Sequence, residues 1–344
     1  MTFNKLFVYG TLRKGEVRSY DLKNLELLKT IKVPGKLYKT DFDYPAAVFD
    51  PNSSNFIHGE LYNLTTEDLK KIDKVEMIDE GFFIRSNITY NSESFYIYEP
   101  GRKLKKYINN KNLIKNGNWL TESGLALDRP EIFAKNFEDI HKSYYDKSSN
   151  DKSDSVIFLE GRNPFLITCP HSTKHKRVNK LKTHELYTAA IGTILHSKLD
   201  CSLLYSNRIQ DTDPNYYDSS YFKTRLENIL NQNNFKFVLD IHGTGEYRKF
   251  DIYPGVGINK EFLINNNYIL DSLMNKAEKF NISVGGLDVF PAAKQQTITK
   301  FSARRFNITS MQLEIKKDLR TPENKPEFLN LINLLSEFSK EILD

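Results

Sequence analysis

Pro170-His171, Glu185, Asp240-Ile-His242-Gly243 and Gln312-Leu-Glu314 place histidines and carboxylates at four points of the second half of the chain. Zinc favours two histidines and a carboxylate with an open fourth position. His171, Glu185 and His242 answer that description and are the expected zinc ligands. Asp240 then reads as an outer partner that orients a ligating histidine. Glu314 reads as a general base toward a water in the same place. A lone histidine at a strand end is more often a hydrogen-bonded core residue, and Glu185 alone reads as a favourable charge at a helix N-terminus. Four such groups on successive strand ends weigh against those bland readings taken jointly. Lys174-His-Lys-Arg177, with Lys180 and Lys182, forms a basic loop between His171 and Glu185. It would attract an anionic substrate, although a solvated charged loop looks the same in sequence. Arg208 and Arg305 are candidate clamps for a substrate carboxylate, because arginine binds carboxylates in a bidentate fork.

A second chemistry is legible near the N-terminus, in Val8-Tyr-Gly-Thr-Leu-Arg-Lys-Gly15. A glycine-containing turn directly after a strand clusters backbone N–H groups, and such a cluster holds a carboxylate or a developing oxyanion. Tyr9, Gly10, Thr11 and Leu12 are therefore expected to bind substrate; the competing reading is a plain β-turn with a packed tyrosine. Glu76 ends the run Ile72-Asp-Lys-Val-Glu76. At a helix C-terminus the dipole favours its protonated form, which moves its pKa toward the range useful for proton transfer. Its competing reading is a solvated helix-end glutamate.

These residues need elements to position them. FNKLFVY (3–9) and FIHGELYNL (56–64) read as strands, and FFIRSNIT (82–89) with SFYIYE (94–99) as a strand pair ended by Pro100-Gly101. A helix is expected from about Thr65, capped by Thr65 or Thr66, with Leu69, Ile72 and Val75 at helical spacing. In the second half, FLITCPH (165–171), FKFVLDIHG (235–243) and MQLEI (311–315) read as strands ending in polar residues. Helices are expected over Thr183–Ser197 and Ser219–Asn231. Alternating strands and helices predict an α/β sheet, in which ligands bind beyond the carboxyl ends of the strands.

At 344 residues the chain is long for one core, so two domains are expected. Residues 130–145 read as a helix that suits either domain, and the polar stretch Asp146–Asp154 as a loop or linker. With 39% hydrophobic and 27% charged residues the chain is globular rather than disordered. A formal charge of +5, with no aromatics among the basic residues of the 174–182 loop, gives no support for a nucleic-acid partner. Two cysteines without a CxxC argue against a disulfide framework. No signal peptide or membrane-spanning run is read, so a cytoplasmic location is expected.

The first part resembles the γ-glutamylcyclotransferase-like (AIG2-like) family. Tyr9-Gly10-Thr11-Leu12 with Gly15, then Gly59-Glu60-Leu61-Tyr62, Asp73-x-x-Glu76, and Arg85 after Phe83 match in order. Phe83 stands where the family usually has tyrosine. The resemblance implies that the free α-amine of a γ-glutamyl amide closes a ring on the γ-carbonyl, with Glu76 moving the proton and no metal required. The second part resembles the N-formylglutamate amidohydrolase family, related to zinc carboxypeptidases. The matching pieces are Gly161 through Pro170-His171, the Thr183–Glu185 segment, Asp213-Pro-Asn215, Asp240-x-His242-Gly243 and Gln312-x-Glu314. Carboxypeptidases use a short HxxE, whereas thirteen residues separate His171 from Glu185 here, so His175 and His184 rank behind Glu185 as rival ligands.

The expectation is an α+β, small cyclotransferase-like barrel domain over 1–120, a linker or helical extension over 121–154, and an α/β zinc-hydrolase domain over 155–344 with a mixed sheet flanked by helices. The expected activities are release of 5-oxoproline from γ-glutamyl amides and zinc-dependent hydrolysis of N-acyl amino acids. Zinc is the one cofactor expected, and partners are small molecules, without nucleic acid or membrane. The alternative is a zinc amidohydrolase whose first domain only binds.

Overall fold

The computed structural model describes residues 3–14, 16, 18–22, 24–42, 44–119, 129–145 and 155–343. Gly15, residues 121–128 and the polar stretch Asp146–Asp154 lie outside the described residues. The chain divides into two compact units, Met1–Asp128 and Arg129–Asp344. The helix Pro130–Tyr145, which the sequence left open, falls in the second unit.

The first unit is built on one sheet. Its strands are β1 (Phe3–Val8), β2 (Glu26–Tyr38), β3 (Ala46–Phe49), β4 (Phe56–Thr65), β5 (Phe83–Tyr90), β6 (Glu93–Pro100) and β7 (Leu113–Ile114). They run in the order β3-β2-β4-β1-β6-β5, with β7 on β2. β1 pairs antiparallel with β4 and parallel with β6. Strand alternation sorts the side chains into two clusters: Leu6 and Val8 join the face that also holds Leu69 and Ile72, while Phe7 and Tyr9 join the other. The sheet curls, so that the Phe49 amide on β3 donates to the Glu99 carboxylate on β6 at 3.0 Å.

Helix α1 (Thr66–Val75) starts on a capping box. The Thr65 hydroxyl accepts from the Asp68 amide, and the Asp68 carboxylate accepts from the Thr65 amide, each at 3.2 Å. Glu76 caps its C-terminus with its N–H on the Ile72 carbonyl at 2.9 Å. Met77 then adopts a φ of 51° and turns the chain away.

The second unit has a six-stranded sheet in the order β14-β15-β13-β9-β12-β8, the strands being β8 (Val156–Leu159), β9 (Asn163–Cys169), β12 (Cys201–Ser206), β13 (Phe237–Thr244), β14 (Ile252–Gly255) and β15 (Thr309–Lys316). β12, β9, β13 and β15 are parallel, and β8 and β14 flank them antiparallel. The hairpin β10 (His175–Arg177) and β11 (Lys180–Lys182) stands apart from this sheet. Helices α2 (Pro130–Tyr145), α3 (Thr188–Leu199), α4 (Tyr221–Gln232), α5 (Tyr268–Lys279), α6 (Ile298–Phe306) and α7 (Lys325–Leu343) complete the unit. The helix expected from Thr183 begins at Thr188, so Glu185 belongs to the preceding turn and not to a helical first turn. No helix among the described residues is long and apolar enough to cross a membrane.

Candidate functional site

In the first unit a pocket is lined by the segment Phe7–Leu12, by Arg18, Tyr44 and Pro45, and by Val75, Glu76, Met77, Phe83 and Tyr98. The turn after β1 and the end of α1 thus face one space. The turn is tied down from within: the Arg13 amide donates to the Gly10 carbonyl at 3.0 Å and the Arg18 amide to the Thr11 carbonyl at 2.8 Å. A buried carboxylate holds its far end. Glu60 accepts from the Lys14 amide at 2.8 Å and from the Tyr62 hydroxyl at 3.0 Å, and pairs with Arg13 at 3.5 Å. The Tyr9 hydroxyl donates to the Tyr98 carbonyl at 2.6 Å, so the backbone around Tyr9, rather than its phenol, is what the turn offers to a ligand.

Glu76 is half-buried on the cavity wall. Its pKa is raised to about 7, chiefly because the carboxyl is withdrawn from water; nearby Arg18 opposes the rise, and Asp21 and Asp73 add to it. The sequence attributed such a rise to the helix dipole, and desolvation is the larger cause. Asp73 is itself held by Arg85 at 2.5 Å and by the Tyr98 hydroxyl at 2.7 Å. Arg18 donates from Nη1 to the Val75 carbonyl at 2.9 Å, which sets the guanidinium beside Glu76. Phe83 packs against Tyr44 with ring centroids 5.7 Å apart. Arg18 and Tyr44 come from loops with no periodicity, and nothing in their spacing marks them; Glu60 stood within a matched motif without an assigned role.

In the second unit His171, Glu185 and His242 converge. His171 Nδ1 is 2.9 Å from Glu185 Oε1, and His242 Nδ1 is 3.1 Å from Glu185 Oε2. The Glu185 turn is fixed by its own amide on the His171 carbonyl at 2.8 Å and by the Gly243 amide on its carboxylate at 2.9 Å. The outer nitrogens of both histidines face buried acids: His171 Nε2 is 2.9 Å from Asp213, and His242 Nε2 is 3.1 Å from Asp240. Asp240 accepts from the Thr168 hydroxyl at 2.6 Å, and Asp213 from the Asn215 amide at 2.8 Å and from Arg177 at 2.5 Å. Burial alone would push the His171 imidazole down, but Glu185 and Asp213 outweigh it and lift its pKa to about 9. His242 is raised in the same way by Asp240 and Glu185, against the effect of burial. Burial would raise Glu185, and the two histidines hold it well below the usual carboxylate range.

Glu314 lies opposite His242 in the β13–β15 register. Burial is the main reason its pKa rises to about 7; His242 lowers it and Glu185 adds to the rise. His175 stacks on His171 with ring centroids 3.9 Å apart, and its Nε2 is 3.4 Å from Asp213. Burial and His171 push its pKa down to about 4. Arg305 is largely exposed, pairs with Glu227 on α4 and lies over the Phe301 ring. The Arg208 carbonyl accepts from Thr173 at 2.7 Å and its guanidinium donates to the Asn207 carbonyl at 3.0 Å. Two further arginines serve the cluster. Arg177 meets Asp213, and buried Arg320 donates to the carbonyls of Leu186 and Ile315, bracing the Glu185 turn. Arg320 was not singled out in sequence, because its partners are distant along the chain.

Three comparisons bear on these sites. A family model described as "Gamma-glutamyl cyclotransferase, AIG2-like" matches residues 6–121. The γ-L-glutamyl-butirosin B γ-glutamyl cyclotransferase of Niallia circulans is 38% identical over 72 residues, 21% of this chain, and the match spans only 44% of that relative's length. The γ-glutamylcyclotransferase family protein YtfP of Escherichia coli is 28% identical over 118 residues, 34% of this chain and 96% of that protein. Among solved structures, that of ytfP from Escherichia coli aligns at 27% identity over 35% of this chain and 98% of its own, with a TM-score of 0.27. A bacteriophage poly-γ-glutamate hydrolase aligns at 14% identity over 57% of this chain and 92% of its own, with a TM-score of 0.35. Residues 6–121 are thus similar to the γ-glutamyl cyclotransferase, AIG2-like family.

Proposed function

We propose that the first unit converts γ-glutamyl amides to 5-oxoproline and a free amine. One observation carries this reading: Glu76 and the Tyr9–Leu12 backbone line the same cavity. The substrate's α-amine attacks its own γ-carbonyl, so nucleophile and electrophile are already joined, and holding the chain folded supplies much of the rate. The α-nitrogen to γ-carbon bond forms, and the bond from γ-carbon to the leaving amine breaks. Glu76 accepts the proton from the attacking nitrogen and returns it to the leaving one, a task suited to a carboxyl with a pKa near 7. The N–H groups of the turn face the oxygen on which charge develops. The test is 5-oxoproline release from a panel of γ-glutamyl amides by wild type and Glu76→Gln. The variant is expected to lose about 10²- to 10⁴-fold. A wild type that releases none leaves the first unit as a binding module.

A second reading concerns the other unit, and the meeting of two histidines on one carboxylate favours it. The group His171, Glu185 and His242 has ligand atoms within 4.8 Å of one another, and so does the group His171, His175 and Asp213. The first group suits zinc better. Its histidines both present Nδ1 inward while buried acids hold Nε2, the pattern that fixes metal-binding imidazoles; Asp213 is already matched by Arg177 and Asn215. Zinc held by His171, Glu185 and His242 would supply a Lewis acid able to polarise an acyl carbonyl and acidify water. Glu314 takes the proton from the attacking water, and the basic β10–β11 hairpin draws in an anionic N-acyl amino acid. Metal content of wild type and His242→Ala tests the ligands; undiminished zinc in the variant removes His242 from the set. Glu314→Gln is expected to keep zinc and lose hydrolysis, and a fully active variant ends its role as base.

A further inference from the structure

We propose that Arg18 and Tyr44 bind the free α-carboxylate of the γ-glutamyl substrate, which confines the first site to γ-glutamyl amides unmodified at that carboxylate. The inference rests on the cyclotransferase reading above. A γ-glutamyl group carries its amine and its carboxylate on one carbon. The groups that receive them must therefore be neighbours, one able to take a proton and the other cationic. The cavity offers that pair. Arg18 is the one cationic side chain among the described residues lining it, and Glu76 is the one carboxylate. They are set side by side, because the Arg18 guanidinium holds the carbonyl of Val75, the residue before Glu76. With the α-carboxylate on Arg18, the α-amine falls toward Glu76, and the γ-carbonyl folds back over the turn. Guanidinium and carboxylate also make stronger hydrogen bonds than neutral pairs.

Tyr44 supplies the second contact. Its ring is fixed between Phe42, stacked with centroids 5.6 Å apart, and Phe83. Its hydroxyl is buried and meets no hydrogen-bond partner among the described residues. A phenol held in place on a cavity wall with its O–H unmatched is suited to donate to a ligand oxygen, since an unmade buried hydrogen bond is costly. Phe83, on the same wall, has no hydroxyl to offer.

The experiment compares two substrates with the same leaving amine, a γ-glutamyl amide with a free α-carboxylate and its α-carboxamide, by release of the amine. Wild type is expected to favour the free acid by roughly 10- to 150-fold in kcat/KM. Tyr44→Phe is expected to lower kcat/KM for the acid by about that factor while leaving the carboxamide within about threefold. Arg18→Gln, which also removes the cation that holds the Glu76 pKa down, is expected to slow both substrates but the acid by about that factor more. A residue with a merely structural role would lower both substrates together. Wild type that treats the two alike, or variants that depress both equally, overturn the assignment. If Arg18→Gln does not fold, Tyr44→Phe decides, because its hydroxyl leaves no protein partner stranded. Wild type that releases amine from neither substrate overturns the cyclotransferase reading and this assignment with it; an active wild type puts only the assignment at stake.

Discussion

Glu76 is held in the protonation range its proposed task needs, and the fold bears the cost. Its ordinary pKa is 4.5 and in the folded protein it is about 7. Between those values the folded protein keeps a proton that the unfolded chain has released, so stability falls as pH rises from about 4.5 to about 7 and is level beyond. Glu76→Gln carries no charge to bury. It is expected to match wild type in urea melts at pH 4 and to exceed it at pH 8 by about 1–3 kcal/mol, a range that allows for its partial exposure. Equal melts at both pH values would show that Glu76 is not desolvated. The same state sets the activity profile. As a base Glu76 works ionised, so kcat/KM for 5-oxoproline release should rise with pH and level off above about 7. In the second unit, Asp213 meets His171 Nε2 and not the ligand face. Asp213→Asn is therefore expected to keep one zinc per chain and weaken its affinity about 10- to 100-fold, read by chelator competition. Unchanged affinity would remove Asp213 from that role.

Elements set these distances, and the close approach of β1 and β4 shows how. Gly59 on β4 faces β1 so tightly that a Cβ there would lie 2.4 Å from the Phe7 ring and 2.4 Å from the Val8 carbonyl. Gly59→Ala must part the two strands just before the substrate turn. It is expected to cost about 1–3 kcal/mol in a urea melt and to lower 5-oxoproline release besides; a neutral melt would show that the strands can part freely. Much of this scaffold was legible. Strand alternation around Leu6–Tyr9, the Thr65 cap of α1, and the polar ends of β9, β13 and β15 are local patterns, and local patterns are written in consecutive residues. What was not legible depended on partners far along the chain. A helix from Thr183 agreed with the spacing, yet the segment is drawn into a turn by the His171 carbonyl, by Glu138 on the Tyr187 amide at 3.0 Å, and by Arg320 on the Leu186 carbonyl. Tyr187 accordingly takes a φ of 67°, which a helix forbids. Glu185 was named as a ligand for its type, while its position came from those three anchors. Arg18 and Tyr44 escaped notice for the same reason, since a loop residue has no period to betray the face it presents.

Across the whole molecule, each candidate site is assembled from residues of one unit, and under the two proposed readings they would use different means to activate an acyl carbon. The first relies on an intramolecular nucleophile and a carboxyl with a pKa near neutrality; the second gathers nitrogen and oxygen ligands that suit zinc. A chelator should therefore separate them. In the full-length protein it is expected to stop N-acyl amino-acid hydrolysis and leave 5-oxoproline release unchanged, whereas Glu76→Gln should do the reverse. Zinc that binds only the folded second unit at 100 times its dissociation constant stabilises it by about 2.7 kcal/mol. For a unit of this size that amounts to a melting shift of roughly 5–10 °C. Calorimetry of the whole chain with and without chelator should show the shift in one transition, and His242→Ala should start at the lower temperature and not respond to zinc. The outcome that counts against two separate chemistries is joint loss: a chelator that also ends 5-oxoproline release would mean that the first site depends on metal, which its residues give no reason to expect.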